Sequence, residues 1–87
     1  MLDRIKGDFL QWLRGFHAVA DTGSVAAAAE RLGLQQPAVS YLIHCLEQEL
    51  GVHLFTRYKR SMCLTNEGHQ LFEKTVTLFE VVREIRS

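Results

Sequence analysis

The side chains that could act in catalysis or bind metal are few and scattered along this 87-residue chain. The candidate general bases are four histidines: His17, His44, His53 and His69. Cys45 and Cys63 stand 18 positions apart, outside any Cys-x-x-Cys or mixed Cys/His spacing. No serine–histidine–aspartate set, paired carboxylates or glycine-rich phosphate loop accompanies them. We therefore expect no enzymatic activity, no metal and no cofactor, and we expect His17 and His69 at solvent-facing helical positions.

A second group of residues is of types that suit binding to nucleic acid. Residues 36–50 are predicted to form a helix that opens at Pro37 and ends before Gly51. At 100° per residue, Val39, Ile43, Leu46 and Leu50 fall on one side, which is predicted to be buried. The opposite side is polar or aromatic and is available to a partner; it carries Pro37, Ser40, Tyr41, His44 and Gln48.

The positive charge that DNA would require is local. The chain has ten Lys plus Arg and ten Asp plus Glu, so its formal net charge is zero. Residues 52–66 nevertheless contain Arg57, Lys59 and Arg60 and no acid. The predicted helix at 36–50 contributes Glu47 and Glu49 and no Lys or Arg. A net charge of zero therefore leaves DNA binding open, and it predicts a modest electrostatic contribution to DNA affinity.

The elements that must position these residues are mainly helical, in one domain. Apolar periodicity predicts a first helix over about 8–21, and Ser24 and Gly33 frame a second over 25–32. Residues 54–57 and 62–65 read as two short strands flanking a basic tip at 58–61. Thr65 or Asn66 then begins a long helix that reaches Ile85. We see no apolar run long enough to span a membrane and no secretory signal, which favours a cytoplasmic protein without membrane contact.

The long helix carries apolar residues over a wide arc. Leu71, Leu78, Val82 and Ile85 form one stripe, and a second stripe about 100° away contains Phe72, Val76 and Phe79. One stripe can cover the domain's own core while the other pairs with a second copy. The alternative is a single wide face buried within the monomer.

The second and third helices are joined by Gly33-Leu34-Gln35, which is typical of a helix-turn-helix, and a basic hairpin follows as in winged variants. In one register from Phe9 to Leu71, the chain resembles the N-terminal domain of LysR-type transcriptional regulators. The residues that carry the resemblance are Thr22-Gly23-Ser24, Ala27-Ala28-Ala29, Leu32-Gly33, Gln36-Pro37-Ala38-Val39-Ser40, Ile43, Leu46-Glu47, Glu49-Leu50-Gly51, Leu54-Phe55, Arg57, Arg60, Leu64-Thr65 and Gly68.

The resemblance implies a winged helix-turn-helix over residues 1–65 and a linker and dimerisation helix over 66–87. It implies a dimer that reads an interrupted inverted repeat in double-stranded DNA, with helix 36–50 in the major groove and the wing, 57–61, at the minor groove or backbone. Members of the family normally continue into an effector-binding domain, which would begin about where this chain stops. A small-molecule effector and higher oligomers are expected only through that domain, and the chain is either a truncated piece or a stand-alone module.

By the same resemblance, Gln36, Pro37 and Ser40 face the groove, Arg60 reaches the minor groove, and Arg57 and Lys59 meet phosphates. The expected DNA-binding set is Ser24, Gln35, Gln36, Pro37, Ser40, Tyr41, His44, Arg57, Lys59 and Arg60. The expected dimerisation set is Leu71, Phe72, Val76, Phe79 and Val82.

Three positions depart from the family pattern, and two of them leave a second function open. Tyr41 and His44 stand where the family usually has basic residues, and Gln35 replaces a small hydroxyl residue. Tyr41 can stack on a sugar or bond a phosphate, and His44 can gain a proton beside phosphates. Alternatively, the chain is a winged-helix interaction module in which Tyr41, His44 and Cys45 contact a protein.

Overall fold

The computed structural model describes residues 8–58 and 61–86. Within them, four α-helices and one antiparallel hairpin follow one another along the chain, which confirms the predicted mainly helical winged helix-turn-helix. The elements are α1 (Phe9–Thr22), α2 (Val25–Leu32), α3 (Gln36–Leu50), β1 (Phe55–Tyr58), β2 (Ser61–Leu64) and α4 (Asn66–Arg86).

The core lies where α1 crosses α2 and α3. Phe16 and Val19 of α1 are fully buried, and Val39 and Leu46 of α3 pack into the same cluster. Gly15 lets α1 and α3 approach closely, since a Cβ there would lie 2.9 Å from the Leu42 Cβ. The hydrophobic effect that drives this burial also fixes which side of α3 faces outward.

The turns that set the limits of α2 and α3 are local in origin. The Ser24 Oγ accepts the Ala27 N–H at 3.1 Å at the start of α2. Gly33 and Gly51 end α2 and α3 with φ values of +69° and +70°, a left-handed conformation that glycine adopts at little cost. The predicted bounds of both helices are therefore confirmed.

The buried side of α3 is shorter than predicted. Val39, Ile43 and Leu46 are buried, but Leu50 is 41% exposed, so its predicted burial is wrong. Leu50 has the right angular position, yet it lies in the last turn of α3, where Gly51 leads the chain away toward β1.

The two strands of the hairpin lie one residue closer to its tip than the sequence predicted. Phe55 pairs with Leu64 and Tyr58 with Ser61. Tyr58 and Ser61 therefore belong to the strands, and the predicted four-residue tip at 58–61 is wrong. Only Lys59 and Arg60 remain between the strands, and these two lie outside the described residues.

The domain covers the first part of the apolar surface of α4 and leaves the part toward its C-terminal end exposed. Leu71, Phe72, Leu78 and Phe79 all pack partly against the core, so members of both predicted stripes face the domain itself. Toward the C-terminal end, Ile85 is 78% exposed and Val81 46%. The cause is geometric: α4 has 21 residues and α1 only 14, so α4 extends beyond the helix that it covers.

Candidate nucleic-acid interface

The outward side of α3 presents the polar and aromatic residues that the sequence analysis placed there. Pro37, Ser40, Tyr41, His44 and Gln48 are all exposed, while the opposite side of the helix is buried in the core. The structure therefore brings five chemically mixed side chains together on one solvent-facing surface.

The N-terminus of α3 is built without using its glutamine amides. Gln35 is the N-cap in extended conformation, and its side chain makes no capping hydrogen bond. The first turn closes through backbone alone, with the Ala38 N–H donating to the Gln35 carbonyl at 3.0 Å. Pro37 occupies this first turn, where the lack of an N–H costs nothing. Gln35 and Gln36 are both exposed at this end.

Ser24 lies at the start of α2 and is half-buried. Its hydroxyl oxygen caps the helix by accepting the Ala27 N–H, as described above. The N–H groups of a first helical turn can bind an anion, and the cap leaves part of that turn available.

Tyr41 is 63% exposed on this surface. The Cys45 thiol, one turn further along α3, raises the pKa of the Tyr41 phenol above its ordinary value of 10.0, and Asp8 adds to this effect. The phenol therefore stays protonated near neutral pH and can donate a hydrogen bond. Cys45 itself is half-buried, whereas Cys63 on β2 is exposed.

A cleft of about 220 Å³ separates α3 from the hairpin. Ser40, His44 and Glu47 line it from α3, and Phe55 and Met62 line it from the two strands. This places two of the expected DNA-contacting side chains, Ser40 and His44, beside the wing.

The wing's basic residues are only partly placed. Arg57 lies in β1, with its Cα opposite that of Met62. Lys59 and Arg60 lie outside the described residues.

The sequence did not indicate the structural contact that Glu47 makes. Its Oε2 accepts the Leu54 N–H at 2.7 Å and lies 3.5 Å from the Phe55 nitrogen. The carboxylate therefore joins the end of α3 to the beginning of β1. Because a glycine-terminated turn separates these residues, no local pattern indicates the contact.

The environment of His17 also differs from the one that the sequence predicted. The expectation of a solvent-facing His17 is wrong, since its ring lies between Phe72 and Phe79 with centroids 5.2 Å away in each case. Its Nδ1 lies 2.9 Å from the Thr75 Oγ1. The pattern of α1 could not reveal this, because Phe72, Thr75 and Phe79 belong to α4. His69, by contrast, is exposed as predicted.

Other kinds of site find no support in the part of the chain that the structure describes. Across residues 8–58 and 61–86, no three His, Cys, Asp or Glu side chains gather as a metal site would require. In the same residues, no helix combines the length and apolar character needed to cross a bilayer.

Comparison with known proteins gives consistent matches. Residues 10–69 match the family model described as a bacterial regulatory helix-turn-helix protein of the lysR family. The chain is 46% identical over 74 residues to an uncharacterised HTH-type transcriptional regulator from the ibpB-leuC intergenic region of Azotobacter vinelandii, covering 85% of this chain and 51% of that protein. It is 46% identical over 71 residues to the HTH-type transcriptional regulator TfdS of Cupriavidus pinatubonensis, covering 82% of this chain and 24% of TfdS. The chain thus spans about half of one relative and about a quarter of the other.

Among solved structures, the DNA-binding domain of BenM in complex with benA site 1 DNA superposes with a TM-score of 0.82. The two are 37% identical, and the match covers 87% of this chain and 85% of that one.

Proposed function

The chain belongs to the LysR family of bacterial helix-turn-helix regulators, and we propose that its exposed α3 surface and its hairpin bind a specific site in double-stranded DNA. The observation that carries the proposal is the likeness, over nearly the whole chain, to a LysR-type domain solved with DNA bound. Both relatives are named as HTH-type transcriptional regulators. The corresponding role for this chain is transcriptional regulation in the cytoplasm.

The geometry of α3 supports a role in the major groove. A helix that enters the groove reads bases with side chains near its N-terminus, and Gln36, Pro37 and Ser40 occupy that end. Glutamine can form two hydrogen bonds with adenine, one through its amide oxygen and one through its amide nitrogen, and serine can reach a base edge or a phosphate. Gln35, Tyr41 and His44 extend the contact on either side.

The wing and α2 supply contacts to the DNA backbone in this proposal. Arg57 and Lys59 meet phosphates, and Arg60 enters the minor groove. The first turn of α2, capped by Ser24, binds a phosphate through its N–H groups. In this proposal residues 1–65 make up the DNA-binding unit, and α4 is the linker helix.

We further propose that α4 pairs with the same helix of a second copy. Support comes from apolar surface that the domain leaves uncovered: Val76 and Val82 are half-buried, and Val81 and Ile85 are exposed. Leu71, Phe72 and Phe79 belong to the same interface at its edge, since they also pack on the domain's core. A two-fold axis through α4 would present two α3 helices to an interrupted inverted repeat.

The test is site selection from random duplexes, followed by binding measurements on variants. We expect Gln36→Ala to weaken binding to the selected site by roughly 1–3 kcal/mol and to relax base preference at one position. Gln48→Ala is the matched control, because Gln48 is also an exposed glutamine of α3 but lies about 18 Å from Gln36 along the axis, away from the N-terminal end that reads the bases.

Equal affinity and equal base preference in the Gln36→Ala and Gln48→Ala variants would contradict the assignment of α3 to the groove. If the unaltered chain binds no duplex at low salt but retains a protein partner in a pull-down, the interaction-module alternative through Tyr41, His44 and Cys45 is the correct one.

A further inference from the structure

The base of the hairpin is held by a single carboxylate of α3. We infer that Glu47 is a positioning residue that sets the angle between α3 and the wing. The inference rests on the proposed DNA-binding function. The Glu47 Oε2 accepts the Leu54 N–H at 2.7 Å and lies 3.5 Å from the Phe55 nitrogen, and Phe55 is the first residue of β1. The bond therefore acts at the point from which the hairpin projects.

The same short segment is fixed from its other side by the beginning of α4. The Leu54 carbonyl accepts the Thr65 N–H at 3.0 Å, and the Thr65 hydroxyl donates to the His53 carbonyl at 2.7 Å. The Thr65 Oγ1 also accepts the Gly68 N–H at 3.0 Å, so Thr65 caps α4 at the same time. The backbone at Leu54 is thus held by α3 through its N–H and by α4 through its carbonyl.

Apolar packing between the hairpin and α3 is incomplete. The cleft of about 220 Å³ lies there, between Ser40 and His44 of α3 and Met62 of β2. On the core side, the Phe55 ring packs against Phe16 with centroids 5.4 Å apart. A ring contact tolerates rotation, whereas a hydrogen bond is directional, so the Glu47 bond restrains the angle on the α3 side as the Thr65 bonds do on the α4 side.

Loss of the carboxylate would leave a polar group without a partner. Leu54 is only 1% exposed, so its N–H has little access to water in the observed position. A buried donor that loses its acceptor is costly, and the segment must shift to hydrate it. We expect this shift to tilt the wing away from the DNA that α3 holds.

The sign of the effect on DNA affinity separates positioning from simple electrostatics. If Glu47 acted only as a negative charge near phosphates, its removal would strengthen DNA binding. Glu47→Gln removes the charge but keeps an acceptor oxygen, whereas Glu47→Ala removes both. Glu49→Ala is the matched control, since Glu49 is an exposed acid of the same helix.

Affinity is measured by fluorescence anisotropy on the selected duplex at a temperature where every variant is folded. We expect Glu49→Ala and Glu47→Gln to bind as tightly as the unaltered chain or more tightly, and Glu47→Ala to bind roughly tenfold more weakly. The Leu54 amide should exchange faster with solvent in Glu47→Ala than in Glu47→Gln. Equal affinity of Glu47→Ala and Glu49→Ala would overturn the inference.

A double-mutant cycle shows through which part of the site Glu47 acts. If Glu47 positions the wing, Glu47→Ala should lower DNA affinity much less in an Arg57→Ala background than in the unaltered chain. In a Gln36→Ala background it should lower DNA affinity by its full amount. A general loss of folded protein would give the same cost in both backgrounds, and that result would overturn the inference. If the unaltered chain binds DNA and Glu47→Ala binds it equally well, the positioning role is refuted and the proposed function stands. If the unaltered chain binds no duplex, the proposed function itself is refuted.

Discussion

The imidazole of His17 shows how one polar side chain can join α1 to α4. Its Nδ1 faces the Thr75 Oγ1, and the Thr75 hydroxyl in turn donates to the Phe72 carbonyl at 2.9 Å. A hydroxyl has one proton, so the Nδ1–H of His17 is the donor toward Oγ1. The neutral ring therefore carries its proton on Nδ1, with aromatic rings on both sides.

This setting makes the stability of the fold depend on pH. Burial lowers the pKa of His17 below its ordinary value of 6.5; the carboxylate of Asp21 opposes this effect, and the guanidinium of Arg31 adds to it. Between the folded and unfolded pKa values the unfolded chain binds more protons, so stability falls as the pH falls. We expect the free energy of unfolding to decrease as the pH is lowered from 8 through 6.5 toward 5, measured by urea denaturation at each pH.

Two substitutions isolate the contribution of His17. His17→Phe keeps an aromatic ring between Phe72 and Phe79 but cannot be protonated, so the decrease between pH 8 and 5 should be smaller. His69→Gln removes an exposed histidine of α4 and should leave the decrease as it is in the unaltered chain. If His17→Phe and the unaltered chain lose stability in parallel, the pH dependence has another source.

At the scale of elements, the sequence predicted what local chemistry determines. The limits of α2 and α3 follow from Ser24, Gly33 and Gly51, each of which acts within its own turn. The hairpin lacks an Asn-Gly or Asp-Gly pair, so its predicted tip was two residues too long.

What the sequence could not predict depends on contacts between distant segments. The Glu47 bond to Leu54 crosses the turn at Gly51, and the His17 contact with Thr75 spans 58 positions. Helical periodicity identified α4 as broadly apolar, but only the lengths of α1 and α4 decide which part of that surface is covered. The candidate interface on α3 was predictable because it is the complement of a buried side that periodicity reveals.

The start of α4 offers a test of how tightly the elements are joined. A Cβ at Gly68 would lie 2.2 Å from the Leu54 carbonyl oxygen and 2.9 Å from the Leu64 Cδ2. Because the first obstacle is backbone, Gly68→Ala should destabilise the fold by about 1–3 kcal/mol, although alanine favours helices over glycine.

Equilibrium unfolding in urea measures this cost, and Gln70→Ala in the same region of α4 is the control, since Gln70 is exposed. A Gly68→Ala variant as stable as Gln70→Ala would show that α4 can move away from the hairpin base without loss.

At the scale of the whole molecule, the net charge is zero but the charges are unevenly distributed along the chain. The Arg31 guanidinium donates to the Asp21 carboxylate at 2.7 Å, which pairs one cation with one acid on the α1–α2 side. The Glu47 charge is directed at two backbone N–H groups. The wing carries Arg57, Lys59 and Arg60, and residues 52–66 of the sequence contain no acid.

This distribution predicts a salt dependence of DNA binding that the wing alone supplies. Each phosphate neutralised contributes about −0.9 to the slope of log affinity against log salt, so three wing cations in each of two protomers give a slope of roughly −5. Arg57→Ala should make the slope shallower by about one per protomer, measured by anisotropy between 50 and 200 mM salt on a fixed duplex. Arg31→Ala removes a cation that is already paired with Asp21, at the end of α2 remote from Ser24, and should leave the slope unchanged. A slope that Arg31→Ala alters as much as Arg57→Ala would mean that the DNA-facing charge is spread over the domain, and the neutral sum would then have to be explained without a basic wing.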